Sequence, residues 1–171
     1  MTLYTHEPDV LLDDGERGSL LYTALRDYTH IDTIDLKHNI HGKPYIDGIE
    51  FSVTHTRGLW MCIIGSHAVG IDAERKDRVI SDERCIAIAE RFFSKDETAW
   101  IRDSANIKED FFYVWTRKEA YVKYLGTGLS DGIDLFNVIE MDGFNSIPIS
   151  TKVEAVYYTK EISALERLIS I

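Results

Sequence analysis

Two carboxylates, Asp72 and Glu74 in the segment Gly70-Ile71-Asp72-Ala73-Glu74, are the first residues whose types and spacing suggest chemistry. In a strand, residues two apart share a face, so these acids project together while Ile71 and Ala73 turn to the core. Paired acids repel one another unless a cation or solvent intervenes. Mg²⁺ suits such a pair, because it prefers oxygen ligands and keeps coordination sites for waters or phosphate oxygens. The same pair also reads as a solvated strand end neutralised by the adjacent Arg75 and Lys76.

A second cluster is Trp115-Thr116-Arg117-Lys118-Glu119-Ala120-Tyr121-Val122-Lys123. On a helix, Trp115, Glu119 and Lys123 lie four apart and form one stripe flanked by Lys118: an aromatic platform, a carboxylate and ammonium groups. A plain surface Glu–Lys pair at this spacing contributes only about 0.3–0.5 kcal/mol, and a Trp is commonly core. In Phe51-Ser52-Val53-Thr54-His55-Thr56, inward-facing Phe51 and Val53 give His55 the inward parity at a strand end and turn Thr54 the other way. A histidine beside two hydroxyls can bond a phosphate or serve a structural hydrogen bond. Glu97 reads either as a base or oxygen ligand, or as the N3 residue of a capping box opened by Ser94.

These residues need elements to position them. A helix is expected from Asp13 or Asp14 through Ser19–Tyr28, with Leu20, Leu21, Ala24 and Leu25 as its apolar stripe. Strands are expected over Glu50–Thr54, Leu59–Ile64 and Val69–Ala73, followed by a helix over Asp82–Phe92 capped by Ser81 and a short one after Ser94. The clearest helix starts after Asn106, with Glu109 three residues on, and runs to Leu125, where Gly126 ends it. Strands near Phe136–Met141 and Val153–Tyr158 and an ambiguous stretch, residues 161–170, complete the chain. The order points to an α+β fold rather than βαβ alternation.

Composition narrows the partners. The chain has 171 residues, 44% hydrophobic, with 29 acidic against 19 basic residues and a net charge of −10. That size suits one domain, and the acidity argues against broad nucleic-acid or anionic-membrane binding. Cys62 and Cys85 form no CxxC pair and read as buried free thiols of a reducing compartment. No signal pattern opens the chain and no apolar stretch is long enough to span a bilayer, so a cytoplasmic protein is expected.

Taken jointly, Gly70–Glu74, then Phe92-Phe93-Ser94-Lys95-Asp96-Glu97, then Trp115–Lys123 with Gly126, Gly128 and Leu129 resemble the 4′-phosphopantetheinyl transferases, and more closely the larger single-chain type that activates peptide synthetases. The family's G-[IV]-D-x-E and W-x-x-K-E-[AS]-x-x-K…G-x-G-L segments both stand intact. Gly42-Lys43-Pro44 and Thr54-His55-Thr56 are similar to its G-K-P and S-H-S segments, and the resemblance runs from about Arg17 to Ser130.

The resemblance implies Mg²⁺-dependent transfer of the phosphopantetheine arm of coenzyme A to a serine of an acyl or peptidyl carrier protein, with release of 3′,5′-ADP. It implies Asp72, Glu74 and Glu119 as Mg²⁺ ligands and Lys123 against the pyrophosphate. Lys43 and Pro44 would line the adenine side, with Thr54, His55, Arg17 and Lys118 among the coenzyme contacts. Glu119, Glu97 or a metal-bound hydroxide would take the serine proton. It implies two similar half-domains, residues 1–75 and 76–171, each a helix with a small antiparallel sheet in a pseudo-two-fold arrangement, and a monomer. The chain departs from the family in the absence of Lys or Arg from Met1 to Glu16, in Thr54 for the usual serine, in Thr127 where a base is frequent, and in the region after Ser130. Two other readings remain at this level: a coenzyme A- or nucleotide-binding module without turnover, and a different Mg²⁺-dependent phosphoesterase.

Overall fold

The structure is a computed structural model and describes residues 1–128, 132–161 and 165–171. Its strands are β1 (Thr2–His6), β2 (Lys37–His38), β3 (Pro44–Tyr45), β4 (Glu50–Thr56), β5 (Leu59–Gly65), β6 (Gly70–Arg75), β7 (Phe144–Ser146), β8 (Val153–Tyr158) and β9 (Arg167–Ser170). Its α-helices are α1 (Asp14–Thr29), α2 (Asp82–Phe92), α3 (Lys95–Arg102) and α4 (Ile107–Leu125). One sheet has the order β4-β5-β1-β9, a second β6-β8-β7, and β2–β3 is a separate hairpin. The fold is α+β.

Side-chain alternation decides how these pieces stack. From one face of the first sheet, Tyr4, Phe51, Trp60, Cys62 and Ile64 meet Leu21, Ala24 and Leu25 of α1. From the other face, Leu3, Leu59, Met61 and Ile63 meet Val69, Ile71, Ala73, Ala155 and Tyr157 of the second sheet and the turn before it. Val156 and Tyr158, of opposite parity on β8, pack on Ala120 of α4. The order across the molecule is therefore α1, sheet, sheet, α4. Helices α2 and α3 cover the first half of α4 through Cys85, Ala89, Phe93, Ile101, Phe111 and Val114. Both cysteines are buried and free. Among the described residues, no helix is long and apolar enough to cross a membrane.

Strand pairing does not divide at residue 75. β6 pairs with β8, and β9 returns from the far end of the chain to lie parallel to β1. Where the two sheets meet, hydroxyls replace a main-chain ladder: Ile71 N donates to Ser52 Oγ at 3.1 Å and Ala73 N to Thr54 Oγ1 at 3.2 Å. β4 is thereby tied to β6 through the side chains of alternate residues.

Three expectations from sequence are corrected. Residues 136–141 form no strand; a 3₁₀ turn at Ile133–Leu135 precedes an irregular segment, and the strand lies later, at Phe144–Ser146. The reason is that this segment's main-chain groups bond a buried ion pair instead of a ladder. Lys118 Nζ donates to the carbonyls of Ile133 and Phe136, and Val138 N donates to Glu97 Oε1. Asn106 makes no side-chain cap bond to α4, and Glu109 instead accepts from Lys76 Nζ at 3.1 Å. His55, assigned inward parity, is exposed while Thr54 is buried, because β6 covers the Thr54 side of β4. Leu129 of the G-x-G-L segment, with Ser130, lies outside the described residues, as do residues 162–164 of the ambiguous stretch.

Candidate active site

The site begins with a glycine. A Cβ on Gly70 would stand 1.9 Å from the Ala120 carbonyl oxygen and 2.4 Å from the Tyr124 nitrogen, so the backbone of α4 lies directly on β6 there. Helix spacing then brings Glu119 and Lys123, on either side of that contact, against the face of β6 that carries Asp72 and Glu74.

Asp72 is 6% exposed. Its Oδ1 accepts from Thr54 Oγ1 at 2.9 Å and from Lys123 Nζ at 2.6 Å, while its buried Oδ2 has no hydrogen-bond partner among the described residues. Glu74 is half-buried and accepts from an Arg78 guanidinium nitrogen at 3.0 Å. Burial, and secondarily the charge of Asp72, raises the Glu74 carboxyl above its ordinary range. Glu119 is pushed up to about 7 by burial first, then by Asp72 and Glu74, with Lys123 acting the other way. Ionising all three acids here is unfavourable without added positive charge.

This donor set fits a divalent cation. An orphaned buried carboxylate oxygen costs free energy that a metal would recover, and all the donors are hard oxygens. As placed, no group of three or more His, Cys, Asp or Glu among the described residues is gathered closely enough to hold a metal ion. Lys123 pairs with Asp72 at 2.6 Å and Arg78 with Glu74 at 3.0 Å.

A cavity of ≈ 380 Å³ opens beside the acids. Gly42, Lys43 and Pro44 of the hairpin form one wall, Ser52 and Val53 of β4 another, and Glu119, Val122 and Lys123 of α4 the third. Lys43 Nζ donates to the Lys123 carbonyl at 2.6 Å, and burial lowers the affinity of this ammonium for its proton. His55, exposed at one edge, stands near Arg17 and Lys123; partial desolvation of its ring first, and then these two positive charges, hold its imidazole below the ordinary value. Arg17 donates to the Leu12 carbonyl at 2.6 Å and pairs with Asp14.

Glu97 and Lys118 lie apart from this group. Both are 0% exposed and pair with each other at 2.8 Å. Glu97 Oε2 also accepts from Ser94 N at 2.8 Å, completing the capping box of α3, and its Oε1 takes Val138 N at 2.8 Å. Lys118 reaches the carbonyls of Ile133 and Phe136 and stands over the Phe136 ring. Every strong partner of this pair is internal, so its visible work is to fold residues 133–138 onto α3 and α4. Lys118→Met should therefore destabilise the protein by about 3 kcal/mol, since it leaves a buried carboxylate without its cation. A denaturant midpoint within error of wild type would contradict that.

Sequence reasoning overlooked Ser52, Asn39 and Arg78. Ser52 shares the parity of Thr54, which was a usable signal. Arg78 is four residues after Glu74, but beyond the strand that spacing has no fixed meaning. Asn39 bonds across 87 positions of sequence, to the Gly126 carbonyl, and left no local sign.

Comparison with known proteins agrees with this geometry. Residues 68–165, which include Asp72, Glu74, Glu119 and Lys123, match the 4′-phosphopantetheinyl transferase superfamily. The chain is 37% identical over 116 residues to 4′-phosphopantetheinyl transferase Sfp of Bacillus subtilis (strain 168), covering 64% of this chain and 49% of that protein. It is 36% identical over 108 residues to 4′-phosphopantetheinyl transferase gsp of Aneurinibacillus migulanus, covering 61% and 44%. Over 146 residues it is 29% identical to the L-aminoadipate-semialdehyde dehydrogenase-phosphopantetheinyl transferase of Candida glabrata, covering 80% and 55%. The chain thus spans about half the length of the curated relatives it matches. With more than half of its residues matched to the family and the β6–α4 acids inside that match, the chain belongs to the 4′-phosphopantetheinyl transferase superfamily.

Proposed function

We propose that this chain transfers the 4′-phosphopantetheine arm of coenzyme A to a serine hydroxyl of an acyl or peptidyl carrier protein, in a Mg²⁺-dependent reaction that releases 3′,5′-ADP. The observation that carries the reading is the seating of α4 on Gly70, which sets Glu119 and Lys123 beside Asp72 at the wall of a nucleotide-sized cavity. The names of the relatives support the same activity.

In this reading Asp72, Glu74 and Glu119 would hold the cation. Bound there, it would neutralise diphosphate charge and stabilise the leaving nucleotide. Lys123 adds a positive charge at the diphosphate once it exchanges its bond to Asp72. Gly42, Lys43 and Pro44 face the adenine; Arg17 supplies positive charge for the 3′-phosphate and the His55 imidazole a hydrogen bond. Thr54 orients Asp72 and, through Ala73 N, fixes β6 against β4. The serine Oγ forms its bond to the phosphorus bearing the pantetheine arm as the bond from that phosphorus to the bridging oxygen breaks. The leaving 3′,5′-ADP takes the electron pair, and the serine proton passes to a base. Glu119, at the cavity wall, is placed to accept it through an oxygen not engaged by the cation. Glu97 Oε2 is committed to Lys118 and Ser94 N and its Oε1 to Val138 N, which favours Glu119 over Glu97.

The same reading takes α1 on the first sheet and α4 on the second as similar halves in a pseudo-two-fold arrangement, residues 1–75 and 76–171. It takes the protein as a cytoplasmic monomer, in keeping with its two buried free thiols. The test is product analysis with coenzyme A, Mg²⁺ and apo-carrier. We expect one 3′,5′-ADP per carrier modified, and none without carrier. Phosphate release in the absence of carrier would support a phosphoesterase, and nucleotide binding without transfer a binding module.

A further inference from the structure

The last turn of α4 is held by a segment outside the acid and lysine motifs. A helix leaves its final carbonyls without internal partners. Here Gly126, at φ 71°, returns its own N–H to the Val122 carbonyl. The tip of the β2–β3 hairpin takes two further carbonyls. Lys43 Nζ donates to Lys123 O at 2.6 Å, and Asn39 Nδ2 donates to Gly126 O at 3.0 Å. Asn39 Oδ1 accepts from the main-chain nitrogens of His41 and Lys43, each at 2.9 Å. One side chain therefore closes the hairpin turn and ties it to the helix end.

The tie matters because the hairpin's own ladder is short. Its ladder comprises two residue pairs, Lys37–Tyr45 and His38–Pro44, and it joins neither sheet. A hairpin of that length has marginal stability alone. Yet its tip, Gly42-Lys43-Pro44, lines the cavity together with the α4 residues Val122 and Lys123. The approach is close: a Cβ on Gly126 would meet Lys43 Cδ at 3.3 Å and Asn39 Nδ2 at 3.5 Å.

We propose that Asn39 is a positioning residue for the nucleotide: by clasping hairpin to helix it sets the width of the cavity in which an adenine nucleotide is held. The proposal rests on the function proposed above. It assigns Asn39 to ground-state binding, since the clasp lies on the nucleotide wall and does not touch Asp72, Glu74 or Glu119.

Two variants separate the clasp from the turn. Asn39→Asp keeps an oxygen for the His41 and Lys43 nitrogens but sets a second oxygen against Gly126 O, so the turn survives and the clasp does not. Asn39→Ala removes the side-chain bonds of both and leaves the turn its main-chain bonds, Asn39 N to Lys43 O and Gly42 N to Asn39 O. Binding of 3′,5′-ADP with Mg²⁺ is measured by calorimetry on the whole chain, together with steady-state kinetics in coenzyme A. Loss of one hydrogen bond that pre-forms the cavity should weaken nucleotide binding about tenfold in both variants. KM for coenzyme A should rise by a similar factor while kcat stays within about twofold, the mark of lost uniform binding. Should Asn39→Ala not fold, Asn39→Asp carries the test alone. Wild-type affinity in Asn39→Asp, or a fall in kcat at unchanged KM, overturns the proposal while leaving the function intact. A wild-type protein that does not bind 3′,5′-ADP overturns both together.

Discussion

Gly70→Ala is expected to remove essentially all activity and to cost the fold about 3 kcal/mol or more, well beyond a typical glycine substitution. The added methyl would meet main-chain atoms of α4, at 1.9 Å from Ala120 O and 2.4 Å from Tyr124 N, and neither can rotate away. Either the helix lifts from β6 or the strand shifts. Both outcomes part Glu119 and Lys123 from Asp72, and a displacement near 1 Å is enough to cost about a hundredfold in rate. Gly18 provides the control. It lies within α1, and a Cβ there meets nothing within 4 Å. Gly18→Ala should be neutral or stabilising by about 0.5–1 kcal/mol. Chemical denaturation of the two variants beside wild type reads the contrast, and equal midpoints would contradict the close seating of α4.

Glu119→Gln is expected to lower transfer at least about a hundredfold and, unlike most active-site lesions, to raise the stability of the metal-free protein at high pH. The Glu119 carboxyl is held at about 7, against an ordinary value of 4.5. Between those values the folded protein keeps a proton that the unfolded chain has lost, so stability falls as pH rises through this window. Below pH 4.5 both states are protonated and wild type and variant should melt alike. At pH 8 the ionised Glu119 of wild type faces Asp72 and Glu74. The neutral amide of the variant would avoid that cost, about 2 kcal/mol after allowance for partial exposure of the site. Mg²⁺ should stabilise wild type at pH 8 and leave the variant nearly unchanged. Melting curves at both pH values, with and without Mg²⁺, check the sign.

Much of the frame was legible because it is local. The apolar stripe of α1, the Ser81 and Ser94 caps and the left-handed Gly126 after Leu125 each announce themselves within a few residues. Strands β4, β5 and β6 were marked by β-branched or apolar runs between turns. β1 was not read, because Thr2–His6 is short and shows no polar–apolar alternation, and its pairing partners lie at residues 60–64 and 167–170. The segment 136–141 carries a strand-like composition, yet a buried lysine and glutamate from two helices claim its main chain. Side chains that bind over long sequence distances leave no periodic trace.

The same limit applies to the site. Alternation on β6 and the four-residue spacing on α4 were enough to group Asp72 with Glu74 and Glu119 with Lys123. That the two groups face each other depends on the bare Gly70 surface, a tertiary fact. Glu97 could be a base or a cap from sequence; its partners Ser94, Lys118 and Val138 explain why the cap dominates its surroundings. The orphaned Oδ2 of Asp72 has no counterpart in sequence at all.

The intact mass of a carrier protein tests the proposed transfer most directly. Apo acyl and peptidyl carriers, incubated with coenzyme A, Mg²⁺ and this protein, should each be tested beside a chelated sample and the Glu119→Gln variant. At least one carrier should gain a single phosphopantetheine with wild type and Mg²⁺, and remain apo in the other two samples. Folded wild type that leaves every carrier unmodified, or equal modification by Glu119→Gln, would contradict the assignment.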